Sequence, residues 1–202
     1  MQSTENKIYI KIKYGGKGKI YFSTDFVKYG TPESVTKALN TLCNKKTLIR
    51  ISRGIYLYPK YSELLNDYAY PSIDEIAKEI AKREKARLIP TGVYALNALG
   101  LSTQMPMRVV FLTDGTPRII NIEGKASIKF KKTIPKYLAL RGKIMTLVIF
   151  ALKEIGQKQV SEAHLSKIKE ALKQEKKENI EHDIKLAPEW IANTLIKRMN
   201  ND

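Results

Sequence analysis

The chain has 202 residues, with 36 Lys/Arg against 20 Asp/Glu and a formal net charge of +16. That length holds one large or two small domains, and 43% hydrophobic residues suffice for packed cores, which excludes a disordered tail. No apolar run approaches the roughly 18–20 residues of a spanning helix, the first residues lack the apolar stretch of a secretory signal, and one cysteine, Cys43, excludes an internal disulfide. The expected setting is therefore the cytoplasm, away from membranes.

The surplus charge is uneven. Residues 1–70 carry 12 Lys/Arg and 5 Asp/Glu, a net of +7, and residues 108–143 carry 9 and 2, again +7. Two concentrated basic regions favour polyanionic partners.

In chain order, Asn6–Tyr14 mixes isoleucine and lysine so that helix or strand could claim it. Gly15-Gly16-Lys17-Gly18 then makes a basic turn. Ile20–Phe22 reads as a short strand, and Ser23 as a cap for a helix over Thr24–Lys28. Thr31-Pro32 restarts the chain with an N-cap residue and a proline at the first helical position. Val35, Ala38, Leu39 and Leu42 fall on one stripe of the helix that follows, which runs to about Asn44. Ser34, Thr36, Lys37, Asn40, Thr41 and Asn44 occupy the other side, and Cys43 beside the stripe reads as a small buried thiol. Two β-like runs, Leu48–Ile51 and Ile55–Tyr58, flank a turn at Ser52-Arg53-Gly54 and stop at Pro59. Helix, turn, helix and a basic-tipped hairpin is the order of a winged helix-turn-helix. The plainer alternative is an ordinary α+β core kept soluble by its lysines.

Tyr61–Tyr70 has no clean period and reads as a connector packing across two domains. Ser72 and Glu75 form a capping box for a helix to about Lys85. Leu88–Pro90 is extended, and Thr91 caps a helix over Gly92–Leu99. Arg108–Thr113 and Arg118–Ile122, separated by Asp114-Gly115-Thr116-Pro117, are expected to form a hairpin. Ala126–Lys132 alternates, with Ile128 and Phe130 on one face and Lys129 and Lys131 on the other. Ile144–Glu154 is expected as a buried helix and Ser161–Lys177 as an amphipathic one. Lys173–Asn179 reads as a solvated charge run. The last helix, Ala187–Met199, should pack through Trp190, Leu195 and Ile196. The fold class is thus α+β, in three parts: residues 1–70 as the winged helix-turn-helix, 71–140 as a mixed α/β domain, and 141–202 as a helical extension.

Enzyme chemistry is missing from the pattern. There is no phosphate-binding G-x-x-x-x-G-K-[ST] or G-x-G-x-x-G motif, and no Asp-x-Asp or Asp-x-Glu pair on a strand for magnesium. His164 and His182 stand alone in charged helical sequence, so a zinc site or Cys/His nucleophile pair is not expected. No cofactor is implied.

Gly92–Pro106 (GVYALNALGLSTQMP), followed by Val109–Gly115 (VVFLTDG) and an Ile-rich basic strand, resembles the antitoxin domain of the AbiE-type abortive-infection family. The front half is similar too, in Phe22-Ser23-x-x-Asp25-Phe26, in the Val35–Leu42 helix and in Arg53-Gly54-Ile55-Tyr56-x-Tyr58-Pro59. The resemblance covers roughly residues 5–135. It implies a winged helix that represses its own promoter at inverted repeats, with two copies on the DNA. It also implies a second domain that neutralises a partner nucleotidyltransferase toxin, as in type IV toxin-antitoxin systems, without a stable complex.

On this reading the helix from Thr31 enters the major groove. Its N-terminal amides with Thr31 and Ser34 hold phosphates, and Thr36, Lys37, Asn40 and Thr41 reach base edges. Arg53, Lys17, Lys45 and Lys46 contact the backbone or minor groove. A second basic face comprises Lys125, Lys129, Lys131 and Lys132. The competing expectation is a protein- or RNA-binding winged-helix module, with Tyr56 and Tyr58 as base-stacking candidates.

Overall fold

The computed structural model describes residues 2–104, 106–124 and 126–200 of the chain. It is a mixed α+β protein whose residues fall into two compact units, Met1–Glu79 with Asn121–Lys125 and Ile80–Ile120 with Ala126–Asp202. The second unit takes in both the strand-rich stretch and the C-terminal helices, which the sequence reading set apart as residues 71–140 and 141–202.

Unit 1 begins with helix α1 (Thr4–Gly15), which settles the ambiguous Ile/Lys segment. The Ser3 hydroxyl caps it by accepting from the Asn6 N–H, and Ile8 and Ile12, one turn apart, are its fully buried residues. Strand β1 (Ile20–Phe22) leads into a 3-10 turn, Ser23–Tyr29. The cap here is Asp25, whose carboxylate accepts from the Phe22 N–H at 2.8 Å, and not Ser23. Helix α2 (Pro32–Asn44) starts at Thr31, whose hydroxyl accepts from the Ser34 N–H. Strands β2 (Ile49–Ser52) and β3 (Ile55–Leu57) close the set, and the antiparallel sheet has the order β1-β3-β2.

The core of this unit joins Ile8 and Ile12 of α1, Tyr21 and Phe26, the α2 stripe Val35, Ala38, Leu39 and Leu42, and Tyr56 of β3. Burying each large apolar side chain stabilises the unit by about 1.5–3 kcal/mol. Packing is close enough that a Cβ on Gly15 would lie 1.8 Å from the Tyr21 hydroxyl, which donates to the Ile12 carbonyl at 3.2 Å. Cys43 is half-buried against the same core, and burial pushes its thiol pKa up.

Tyr61–Tyr70, expected as an interdomain connector, is instead a second hairpin. Strand β4 (Lys60–Ser62) pairs antiparallel with β5 (Asp67–Ala69), and Tyr61 meets Tyr68 edge-on at 5.9 Å. Its tip residues Leu64 and Leu65 are exposed. Helix α3 (Ile73–Glu84) follows with the Ser72–Glu75 capping box formed as read.

Unit 2 is built on a four-stranded sheet of order β6-β7-β9-β8. Its strands are β6 (Leu88–Pro90), β7 (Arg108–Thr113), β8 (Arg118–Asn121) and β9 (Ser127–Lys132). The expected β7–β8 hairpin does not form: β9 lies between them, parallel to β7, with Phe111 opposite Phe130. The Asp-Gly pair serves another purpose. Asp114 accepts from the Arg87 backbone N–H and Nε at 2.7 and 2.8 Å, and Gly115 is small because a Cβ there would meet that of Ala86 at 2.8 Å. A two-residue type I′ turn needs positive φ at both positions, and neither residue has it.

Helices α4 (Gly92–Ala98), α5 (Pro135–Leu138), α6 (Lys143–Ile155), α7 (Glu162–Leu172), α8 (Lys177–Ile184) and α9 (Glu189–Asn200) complete the unit. The Thr91 hydroxyl does not cap α4; it donates to the Val110 carbonyl. Helix α6 is buried over most of its length, from Met145 to Leu152. At its start stands Gly142, which has no side chain to cap with, and two acids do the work: Glu175 from the supposed charge run and Asp183 beyond it. Asp183, fully buried, accepts from the Arg141 and Gly142 N–H groups at 3.0 and 2.7 Å. Glu175 Oε2 accepts from Ile144 at 2.8 Å and Met145 at 3.4 Å. The run is therefore not simply solvated, and it interrupts the expected Ser161–Lys177 helix. In α9 the buried contacts are Ile191 and Leu195, while Ile196 is exposed.

Burial opposes the charge on Glu175, but hydrogen bonds from Asn179, Ile144, Lys176 and Met145 outweigh it and hold the carboxyl below its usual range. A lowered folded-state pKa contributes stability above the unfolded value, roughly 4.3, and that stability is lost as pH falls through the folded one. Asp183→Ala should cost roughly 1–3 kcal/mol by orphaning two backbone donors. Glu175→Gln should flatten the acid limb of a pH–stability curve from urea unfolding, whereas an unchanged limb would deny Glu175 this part.

Candidate nucleic-acid interface

Helix α2 divides cleanly into two faces because its apolar residues recur at helical spacing. With Val35, Ala38, Leu39 and Leu42 buried, Glu33, Thr36, Lys37, Asn40 and Asn44 are exposed, with Thr41 half-buried beside them. These residues line one shallow, open depression along the helix.

The hydroxyls on this face already have internal duties. Thr36 donates to the Pro32 carbonyl at 2.8 Å and Thr41 to the Lys37 carbonyl at 3.0 Å, so each faces outward as an acceptor and a methyl group. Ser34 donates to the Thr31 carbonyl at 2.9 Å. Lys37 and Asn40, by contrast, make no hydrogen bond or ion pair with another side chain among the described residues. The reading of this face from sequence passed over Glu33. Its own backbone N–H and the Thr31 hydroxyl hold its carboxyl below the usual range, so it is a fixed negative charge in the first turn. The signal was available, since residues 33, 37, 40 and 44 follow helical spacing.

The flanking cations are dispersed. Lys45 is bonded to Glu5 of α1 at 2.6 Å. Lys46, exposed, sits at φ 56° where the chain leaves α2, its N–H donating to the Cys43 carbonyl. Lys17 and Arg53, both exposed, lie at opposite ends of β3. The Gly18 N–H donates to Tyr58 beyond one end, and the Ser23 N–H donates to Gly54 in the turn at the other. Arg50 on β2 faces the Glu123 carboxylate at 3.5 Å. Of the tyrosines proposed for stacking, Tyr56 is buried and Tyr58 half-buried, so neither offers a free ring face.

On β9, Ile128 and Phe130 are buried, Lys131 and Lys132 exposed, and Lys129 half-buried, the alternation expected. Lys125 lies outside the described residues. The histidines have local roles: His164 Nδ1 accepts from the Ser161 N–H at the start of α7, and His182 Nδ1 meets Asp183 Oδ1 at 2.7 Å. Among the described residues no group of three or more His, Cys, Asp or Glu could hold a metal ion, and no helix is long and apolar enough to cross a membrane.

A family model matches residues 7–180, through both units. The chain belongs to DUF6088, a family of unknown function. Comparison with curated proteins finds no match. The family match covers more of the chain than the AbiE-type resemblance and takes in α6, α7 and the first half of α8.

The Lys45–Glu5 pair is exposed, and such pairs contribute about 0–1 kcal/mol. Lys45→Ala should therefore leave the urea midpoint nearly unchanged, so that any loss of nucleic-acid binding in this variant reports a contact rather than unfolding.

Proposed function

We propose that unit 1 of this DUF6088 protein is a winged helix-turn-helix, with α2 as its recognition helix, and that the protein is a sequence-specific DNA-binding autorepressor. The observation that carries this reading is the outer face of α2. It is a continuous strip on which Lys37 and Asn40 bond to no other side chain among the described residues and Thr36 and Thr41, their protons engaged by the helix, still present acceptor faces. The order helix, strand, 3-10 turn, helix, strand, strand supports it. So does the width of B-DNA's major groove, about 12 Å, which admits a helix of about 10–12 Å.

The bonding pattern assigns roles. Asn40 can pair bidentately with adenine, Lys37 can donate to guanine N7 or O6, and Glu33 can accept from cytosine N4. Thr36 and Thr41, their protons engaged, can contact thymine methyls or accept from adenine. The N-terminal amides of α2 and Thr31 face phosphate less freely than a neutral first turn would, because Glu33 repels it. Lys46 and Lys17 at one end of β3, and Arg53 at the other, would reach separate stretches of backbone.

The AbiE-type resemblance extends the proposal to autorepression at inverted repeats with two copies bound. It further extends it to neutralisation of a nucleotidyltransferase toxin by unit 2 without a stable complex. Co-expression with a neighbouring nucleotidyltransferase is the test of that part: persistence of growth arrest would remove the antitoxin role while leaving repression standing.

Gel-shift titrations on the protein's own upstream DNA, against scrambled DNA from low to ~200 mM salt, test the core of the proposal. Lys37→Ala and Asn40→Ala should each cost roughly 1–3 kcal/mol at one base position. Lys46→Ala should weaken all sequences alike and lower the salt slope by about one. Glu33→Ala should strengthen binding to scrambled DNA while narrowing the preference for the upstream site. Variants that all bind like wild type would sink the assignment of α2.

A further inference from the structure

The second hairpin of unit 1, β4–β5, presents a group of uncovered apolar side chains. Leu64 at its tip is 94% exposed and Leu65 63%, and the Tyr61–Tyr68 pair behind them is exposed as well. The tip is built rather than loose. Asn66, at φ 47°, donates its N–H to the Glu63 carbonyl at 3.2 Å, and its side-chain oxygen accepts from the Tyr61 hydroxyl at 2.6 Å. Asn is one of the few residues that adopt this left-handed conformation readily. Single exposed apolar residues are ordinary, but a contiguous group of them marks a contact surface.

The charge around the hairpin narrows the partner. Residues 61–75 hold four Asp/Glu and no Lys/Arg, although the chain as a whole stands at +16. Glu63 and Asp67 are both exposed, and Glu63 bonds to no other side chain among the described residues. The phosphates of a nucleic acid or of an anionic lipid surface are repelled here, so the fitting partner is apolar and cationic. Unit 1 carries such a surface itself. The outer side of α1 forms a shallow open groove with Tyr29, lined by Lys7, Ile10, Lys11 and Tyr14. Tyr14 is 90% exposed, and the exposed Lys7 ammonium meets no carboxylate among the described residues. Lys11 already donates to the Asp25 carbonyl at 3.4 Å, which leaves Lys7 as the free cation of the groove. Hairpin and helix are also neighbours: a Cβ on Gly18, in the turn that ends α1, would stand 3.9 Å from that of Lys60, where the hairpin starts.

We propose that two copies of the chain associate through these surfaces, the Glu63-Leu64-Leu65 tip of each copy entering the α1 groove of the other. Leu64 and Leu65 lie against Ile10, Tyr14 and Tyr29, and Glu63 pairs with Lys7. An acidic apolar element beside a basic apolar one makes a self-complementary patch, so a two-fold arrangement forms the contact twice and closes the pair. The proposal does not rest on the DNA-binding reading, since none of these residues lies on α2 and the test contains no DNA.

The experiment is sedimentation equilibrium of the full chain over about 1–200 μM, a span that covers weak to moderate affinities, and it should show a reversible dimer. Leu64→Asp, at an exposed position, should weaken the dimer at least tenfold. Glu63→Lys and Lys7→Glu should each weaken it by about tenfold, because each change acts twice in the pair. Circular dichroism and the urea midpoint should match wild type in all three variants. The decisive arm mixes Glu63→Lys with Lys7→Glu. In the mixed pair each tip again meets a groove of opposite charge, so two chains that fail alone should associate with each other. A monomer throughout the range would overturn the proposal. So would a dimer that Leu64→Asp leaves intact, which would place the interface elsewhere. Failure of the mixed variants to associate would overturn it as well, by separating the tip from the groove.

Discussion

Unit 1 depends on the insertion of one stripe of α2 into its core. Val35, Ala38, Leu39 and Leu42 meet Ile8, Ile12, Phe26 and Tyr56, and no other element of the unit supplies as many residues to that core. Once the stripe is buried, the 3.6-residue period leaves no freedom: residues 33, 36, 37, 40 and 44 must face water. The exposed strip is therefore as rigid as the core behind it. A surface on a packed helix holds its groups in fixed relative positions, which is what base-edge recognition demands and what a loop would not supply.

In unit 2 the comparable constraint is electrostatic. Helix α6 is buried along most of its length and has Gly142 at its cap position, so no local side chain satisfies its first N–H groups. Asp183 and Glu175 meet that need, and in doing so they tie α8 and the segment before it to the start of α6. A charge placed at a helix N-terminus also complements the macrodipole. The same contacts split the C-terminal sequence into separate helices where local propensity alone would extend one.

Much of this was legible in the sequence, and most of the exceptions share a cause. Capping residues and amphipathic stripes act within a few residues, so Thr31, Ser72 with Glu75, the α2 stripe and the alternation at Ile128 and Phe130 could be read directly. Most of what failed depended on partners distant in sequence, although Asp25, which replaces Ser23 as a cap, stands only two residues on. Asp114-Gly115 looks like a hairpin turn until Arg87 and Ala86 are brought beside it. Ile196 is an exception, since it stands five residues beyond Ile191 and off the Ile191–Leu195 stripe, which local spacing does show. Lys173–Asn179 reads as solvated because nothing local reveals that Glu175 faces α6. The polar strip of α2 was legible in its membership, apart from Glu33. The engagement of Thr36 and Thr41 with their own helix, and of Lys45 with Glu5, was not, because composition does not report which donors are already used.

The charge distribution bears on how such a surface would discriminate. A chain at +16 attracts any polyanion, and that attraction scales with the number of phosphates neutralised rather than with sequence. Discrimination must then come from groups that add little to the general attraction. On α2 these are Asn40, the acceptor faces of Thr36 and Thr41, and above all Glu33, which opposes it. A carboxylate in the first turn of a helix facing DNA weakens every complex except one that presents a donor to it. On the proposed reading, placing one acid among so many lysines would lower non-specific affinity most where base contact is proposed, and so would widen the gap between the right sequence and the rest. That gap, not the net charge, is what would make a small basic protein a regulator rather than a general DNA coat.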